Sequence, residues 1–246
     1  PPDYYSKTGQ LWGNPVYDWQ VHYKENFAWW RQRIATLLKL VDLIRIDHFR
    51  GFEAYWQIPY GSATAVNGRW MPGPGSDFFA AVKTELGYLP FIAEDLGFID
   101  AKVVQLRQQW KLPGMRVLQF AFEALKPNLH SPHAHPRNCV VYTGTHDNDT
   151  AFGWYRKADP EVQDYTRRYL GISGADIAWD LIRAALASPA NSAIIPAQDL
   201  LALDSNARMN TPGTVKGNWT WRCPAGAFNE QLSHRLAELT TLYDRD

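Results

Sequence analysis

Short apolar runs alternate with stretches of helical spacing along most of this chain, and that alternation constrains the fold more than any other feature. The spacing predicts a helix over 24–40, a strand over 41–46 (VDLIRI), a helix over 76–87, a strand over 90–93, a helix over 100–111 and a strand over 115–122. Further on it predicts a strand over 139–143, helices over 160–170 and 175–187, a strand over 193–196 and a last helix over 226–243. The strands are short and apolar throughout, as strands covered on both faces are. The expected class is α/β, with a parallel sheet or barrel. The first 20 residues and the stretch 51–75 read as loops rich in Pro and Gly that nevertheless carry aromatics. No repeat and no linker divides the chain.

Composition narrows the function classes. Among 246 residues, 25 Lys and Arg balance 25 Asp and Glu. That removes the electrostatic attraction on which general nucleic-acid binding depends. No apolar run reaches the roughly 18 residues needed to cross a bilayer, so no membrane role is expected. Two cysteines, Cys139 and Cys223, suit a reducing compartment and a cytoplasmic protein. The excess is aromatic, with 11 Trp, 12 Tyr and 11 Phe. Most of these belong in a core, but rings set in polar loops offer faces that stack on sugars. The chain opens PPDYYSKTGQLWGNP, without a Met or a leader, and reads as the middle of a longer protein.

Acids stand at the ends of three expected strands. Asp47 follows strand 41–46, Glu94 follows strand 90–93, and His146-Asp147-Asn148-Asp149 follows strand 139–143. In a (β/α)₈ barrel the C-terminal strand ends converge on the mouth that holds the active site. Glu94 lies 47 residues after Asp47, and Asp147 lies 53 after Glu94, the lengths of one or two βα units. Clustered carboxylates fit glycosidic chemistry, in which an ionised nucleophile works beside an acid that keeps its proton. In a retaining reaction the two stand about 5–5.5 Å apart. Arg45, two residues before Asp47 on one strand, points the same way and offers a counter-charge. The competing role, capping of the helices that follow, suits any one of these acids better than all three.

These residues sit inside long motifs that resemble the 4-α-glucanotransferases (amylomaltases or disproportionating enzymes) of the α-amylase clan. The motifs are PPDYYSKTGQLWGNP (1–15), RIDHFRGFEAYW (45–56), AEDLG (93–97), LPGMRVLQFAF (112–122), YTGTHDNDT (142–150), and ARMNTPGT with GNWTWR within 207–222. The resemblance implies a (β/α)₈ TIM-barrel fold. Residues 1–246 would be the C-terminal part of the catalytic barrel, roughly strands four to eight. The N-terminal strands and an inserted subdomain would lie outside this chain, and the missing N-terminal half would be needed for function. It makes Asp47 the nucleophile that forms a covalent glucosyl intermediate, Glu94 the general acid/base and Asp147 the third carboxylate. Arg45 and His146 become contacts around the reacting sugar, and His48 and Asn148 further substrate-binding residues. Asp3, Tyr4, Gln10 and Trp12 become glucan contacts on a loop over the acceptor side, and Asn218 and Trp219 contacts near the cleft.

The implied substrates are α-1,4-glucans and maltooligosaccharides, moved between chains by retaining double displacement without metal or organic cofactor. Two alternatives stand beside transfer: plain hydrolysis by the same carboxylates, and an inactive glucan-binding fragment. The tract His130-Ser131-Pro132-His133-Ala134-His135 superficially resembles a metal motif. With its prolines and no nearby Cys it reads as a surface loop. Cys139 reads as a small core residue and Glu123 as structural, while Asp199, near the end of the last strand, has no role that the sequence decides.

Overall fold

The computed structural model describes residues 1–2 and 6–245. They divide into two compact units, Pro1–Gly114 and Met115–Asp246. No linker marks the boundary, which falls at the first residue of a strand.

The first unit holds α1 (Trp19–Lys24), α2 (Ala28–Leu37), β1 (Ile44–Ile46), β2 (Ala54–Gln57), β3 (Arg69–Pro72), α3 (Gly75–Leu86), β4 (Phe91–Ala93) and α4 (Ala101–Gln109). The helix expected over 24–40 is thus two helices. Asn26 and Phe27 take left-handed backbone (φ 46° and 55°), which no continuous helix tolerates. Asp18 starts α1 by accepting from the N–H groups of Gln20 (3.1 Å) and Val21 (3.3 Å). The stretch 51–75, expected to be irregular, holds a 3₁₀ turn that starts at Phe49 (Phe49–Phe52) and an antiparallel hairpin in which Trp56 faces Trp70. The hairpin's end packs so tightly that a Cβ on Gly73 would lie 2.4 Å from the Phe52 carbonyl oxygen.

β1 and β4 pair in parallel, with Ile44 opposite Phe91 and Ile46 opposite Ala93. β4 is fully buried, whereas β1 is half-buried. Beneath them lies a core of Phe27, Phe49, Phe52, Phe78, Phe79, Phe91, Val103 and Leu112. Burial of this many aromatic rings is the main driving force for this unit.

The second unit contains β5 (Gly114–Val117, whose first residue belongs to the first unit), α5 (Leu118–Glu123), β6 (Cys139–Tyr142), α6 (Ala151–Lys157), α7 (Pro160–Leu170), α8 (Ile177–Ala187), β7 (Ser192–Ile194), α9 (Ala197–Leu200) and α10 (Glu230–Leu242). The strand expected over 115–122 ends at Val117 and turns directly into α5, because an apolar run such as LQFAF satisfies either periodicity. The expected strand 193–196 is β7, and the expected helix 226–243 begins only at Glu230, where Asn229 caps it. α6 was not expected. Three strands are ordered β5-β6-β7, and β6 runs parallel to β7. Leu118, Phe122, Val141, Trp154, Ile177 and Leu181 fill one core, and Trp179, Ile182, Leu186 and Leu239 a second beside it. The α/β class with parallel strands therefore holds. No helix of the described residues is long and apolar enough to cross a membrane.

Candidate active site

In the first unit the pairing of β1 with β4 sets two acids side by side. The parallel ladder continues past both strand ends: Glu94 N–H donates to the Ile46 carbonyl (2.9 Å), and Phe49 N–H donates to the Glu94 carbonyl (3.1 Å). Asp47 and Glu94 are thus the residues that follow two adjacent, register-matched strands. Arg45 projects on the same side as Asp47, as alternation requires, and its Nη2 meets Asp47 Oδ1 at 2.5 Å. The Asp47 side chain is 75% exposed, so its open face is available to a ligand.

Glu94 is held differently. Both of its oxygens accept from backbone: Oε2 from His48 N–H (2.7 Å) and Oε1 from Leu96 N–H (2.9 Å). His48 presents that N–H because its backbone is left-handed, φ 50°. Burial pushes the Glu94 carboxyl above the ordinary glutamate value. The two amide donors and Arg45 pull it down, the Asp47 charge pushes it up, and the net is upward. Next to it, the buried Asp95 pairs with Arg107 Nε (3.1 Å), and Arg107 also donates to the Leu112 carbonyl (3.0 Å). Gly114 is required here, since a Cβ would lie 2.4 Å from Asp95 Oδ2. Gln10 and Trp12 form a local pair on the opening segment, Trp12 Nε1 donating to Gln10 Oε1 (3.0 Å) with the indole 63% exposed. Asp3 and Tyr4 lie outside the described residues.

In the second unit the loop after β6 carries the third acid. Asp147 Oδ1 accepts from Asn210 Nδ2 (2.6 Å), and Oδ2 lies 3.3 Å from His146 Nε2. Arg208 Nη2 donates to the Asp147 carbonyl (2.6 Å) and Asn210 N–H to the His146 carbonyl (3.0 Å). Trp219, 55% exposed, lies with its ring centroid 5.2 Å from that of His146. An exposed aromatic face thus stands beside the loop that carries the Asp147 carboxylate. Asn148 and Asn218 are engaged within their own loops. Asn148 Oδ1 accepts from Thr145 N–H (2.9 Å) and Oγ1 (2.8 Å). Asn218 Oδ1 accepts from Thr211 N–H (2.9 Å), and its amide donates to the Thr214 carbonyl (3.0 Å).

Asn210, Arg208 and Arg50 were not singled out in the sequence. The first two lie in the quoted ARMNTPGT motif and the third in RIDHFRGFEAYW, but nothing in their spacing links them to a strand-end acid.

Other acids are structural. Asp199 is buried, accepting from Thr143 Oγ1 (2.5 Å) and Ala151 N–H (2.7 Å), and burial pushes its carboxyl up. Glu123 accepts from Trp154 Nε1 (3.3 Å), and Cys139 is buried in the core. The histidine tract is in part the surface loop expected, but His130 and His135 turn inward from it. Only His133 is exposed, and it meets the Tyr169 hydroxyl (2.6 Å). His130 Nδ1 accepts from Val117 N–H (3.2 Å) at the end of β5, and His135 Nε2 donates to the His130 carbonyl (2.8 Å). The turn folds inward because the last N–H of β5 needs an acceptor. Burial pushes His130 down to about 3. Among the described residues, no group of three or more His, Cys, Asp or Glu is placed to hold a metal ion.

Known proteins resemble this chain over its whole length. A 4-alpha-glucanotransferase of Synechocystis sp. is 50% identical over 248 residues, covering 100% of this chain and 49% of its own length. That of Streptococcus pneumoniae is 48% identical over 247 residues, with the same coverage. The solved amylomaltase from Streptococcus agalactiae in complex with acarbose matches with a TM-score of 0.95 at 40% identity, covering 100% of this chain and 50% of that one. The chain spans about half the length of the curated relatives it matches. The 4-alpha-glucanotransferase family profile matches residues 1–228, and the chain belongs to that family.

Proposed function

We propose that the protein containing this chain transfers α-1,4-glucan segments between maltodextrins by retaining double displacement. The chain would supply strands four to eight of a (β/α)₈ barrel, and the half of the relatives that it does not span would supply the rest. Asp47 attacks the anomeric carbon and forms the glucosyl ester, while Glu94 protonates the departing 4-oxygen. Glu94 then takes the proton from the 4-hydroxyl of the incoming glucan, which displaces Asp47 and restores the α configuration. Asp147 binds sugar hydroxyls and tightens that hold in the transition state, with His146 and Trp219 beside it. Arg45 supports the charge on Asp47, and Gln10, Trp12, Asp3 and Tyr4 contribute to the acceptor side. The reaction uses no cofactor, and two free cysteines suit a cytoplasmic setting.

One observation carries this reading: adjacent strand ends bear two acids in opposite electrostatic settings. Asp47 is exposed and paired with a guanidinium, whereas Glu94 is half-buried with its carboxyl pushed up by burial. That split is what a nucleophile and a proton donor require. Plain hydrolysis by the same carboxylates is the second reading, since water that reaches the glucosyl intermediate competes with the acceptor.

Incubation of the full-length protein with maltotriose tests both. Transfer yields glucose and longer maltodextrins at nearly constant reducing power. Reducing ends that rise in step with substrate consumption would establish hydrolysis, and binding without turnover would mark a glucan-binding protein. Asp47→Asn should abolish turnover while leaving glucan binding intact.

A further inference from the structure

Three segments around the two acids of the first unit meet on one cation, Arg50, and we propose that Arg50 is the positioning residue that keeps Asp47 and Glu94 in register. The inference rests on the roles given to those acids above. Arg50 lies three residues past Asp47, at 7% exposure. Its guanidinium forks onto Asp100 Oδ2, with Nη1 at 3.1 Å and Nη2 at 3.0 Å. Asp100 lies six residues past Glu94. Its other oxygen accepts from Lys102 N–H (2.9 Å) and Val103 N–H (3.1 Å) and so starts α4. The ring of Trp70, from β3, lies over the guanidinium at 4.2 Å, and that of Phe98, from the loop after Glu94, at 5.2 Å.

One side chain therefore fastens the segment after the nucleophile, the loop after the acid and the hairpin to each other. Three hydrogen bonds also connect the two strand ends: Glu94 N–H to the Ile46 carbonyl, Phe49 N–H to the Glu94 carbonyl, and His48 N–H to Glu94 Oε2. The last of these depends on the left-handed conformation of His48, a geometry that persists only where its surroundings hold it. Arg50 follows two residues later and anchors that turn. Its guanidinium is buried and committed to Asp100, so it acts through the acids and not on sugar. Lysine cannot replace it fully, because an ammonium has no planar fork to set on a carboxylate while lying flat against a ring.

The test uses Arg50→Met and Arg50→Lys in the full-length protein. Methionine fills the space between the rings and removes the charge; lysine keeps the charge and loses the fork. The rate is expressed per site that can be trapped as a glucosyl adduct on Asp47, which cancels any unfolded fraction. Arg50→Met should lower kcat by ~10²-fold, the scale of a misplacement near 1 Å, while KM for maltotriose moves less than ~3-fold. Arg50→Lys should fall between the variant and the parent. Amide hydrogen exchange at His48 and Leu96 should quicken in Arg50→Met, while the core around Leu181 exchanges as before.

A kcat per trapped site equal to the parent's in both variants would overturn the proposal, as would unchanged exchange at His48 and Leu96. A general destabilisation, with exchange quickened everywhere and kcat per site intact, would reduce Arg50 to a purely structural residue. The exchange measurement needs no turnover, so it decides the clamp separately from the chemistry. Retained activity in Asp47→Asn would count against the roles of the acids and leave the clamp standing.

Discussion

Asn210→Ala isolates the support given to the third carboxylate. The substitution deletes the 2.6 Å bond from Nδ2 to Asp147 Oδ1. It leaves the backbone bond from residue 210 to the His146 carbonyl and the Arg208 bond to the Asp147 carbonyl, so the loop keeps its path. A hydrogen bond to a charged acceptor is worth about 1.5–3 kcal/mol. The Asp147 side chain is 45% exposed, so water replaces part of the lost donor, and about 1 kcal/mol is the fitting figure. If Asp147 grips sugar hydroxyls more tightly in the transition state, that loss appears as a fall in kcat/KM of roughly 5-fold. The assay is initial glucose release from maltotriose across a substrate range. Asn210→Asp provides the control, because it keeps the shape and turns the donor into a like charge. On an electrostatic account Asp must be worse than Ala. If Asn210→Asp keeps more activity than Asn210→Ala, packing and not charge support is the role of this residue, and the reasoning fails.

Three further outcomes are expected. Glu94→Gln should stop transfer from maltotriose yet still permit slow labelling of Asp47 by a glycosyl fluoride, whose leaving group needs no proton; mass spectrometry that finds no adduct would count against the pairing of these two acids. Asp199→Asn should raise Tm at pH 7, because burial lifts the native carboxyl's pKa and ionised Asp199 therefore costs stability as pH rises through that value; calorimetry should show the gap closing below about pH 4, where both states of the parent are protonated. His130→Phe should destabilise by ~1–3 kcal/mol by leaving the buried Val117 N–H without its acceptor, and an unchanged denaturation midpoint would show that the turn finds another partner.

The α/β alternation, the parallel strands and the placement of Asp47 and Glu94 just past β1 and β4 were legible in the residues, because these depend on local periodicity and on what terminates each run. The Arg45–Asp47 pair was legible for the same reason, since two residues apart on a strand means one side. Local pattern failed where two periodicities fit one segment. The run 115–122 divides between β5 and α5, and the hairpin Ala54–Gln57 with Arg69–Pro72 hides in a stretch of loop-like composition because strand pairing is a long-range choice.

What only the tertiary structure decided is the company each acid keeps. Asp199 and Asp147 look alike as acids following strands, yet one is buried under Thr143 and the N–H of Ala151 while the other faces outward beside His146 and Asn210. Likewise Arg50, 50 residues before Asp100, and Asn210, 63 residues after Asp147, carry no sign of those partners in their own neighbourhoods. Charge, burial and hydrogen bonding at a site are sums over groups distant in sequence, and they come into being only when the chain closes on itself.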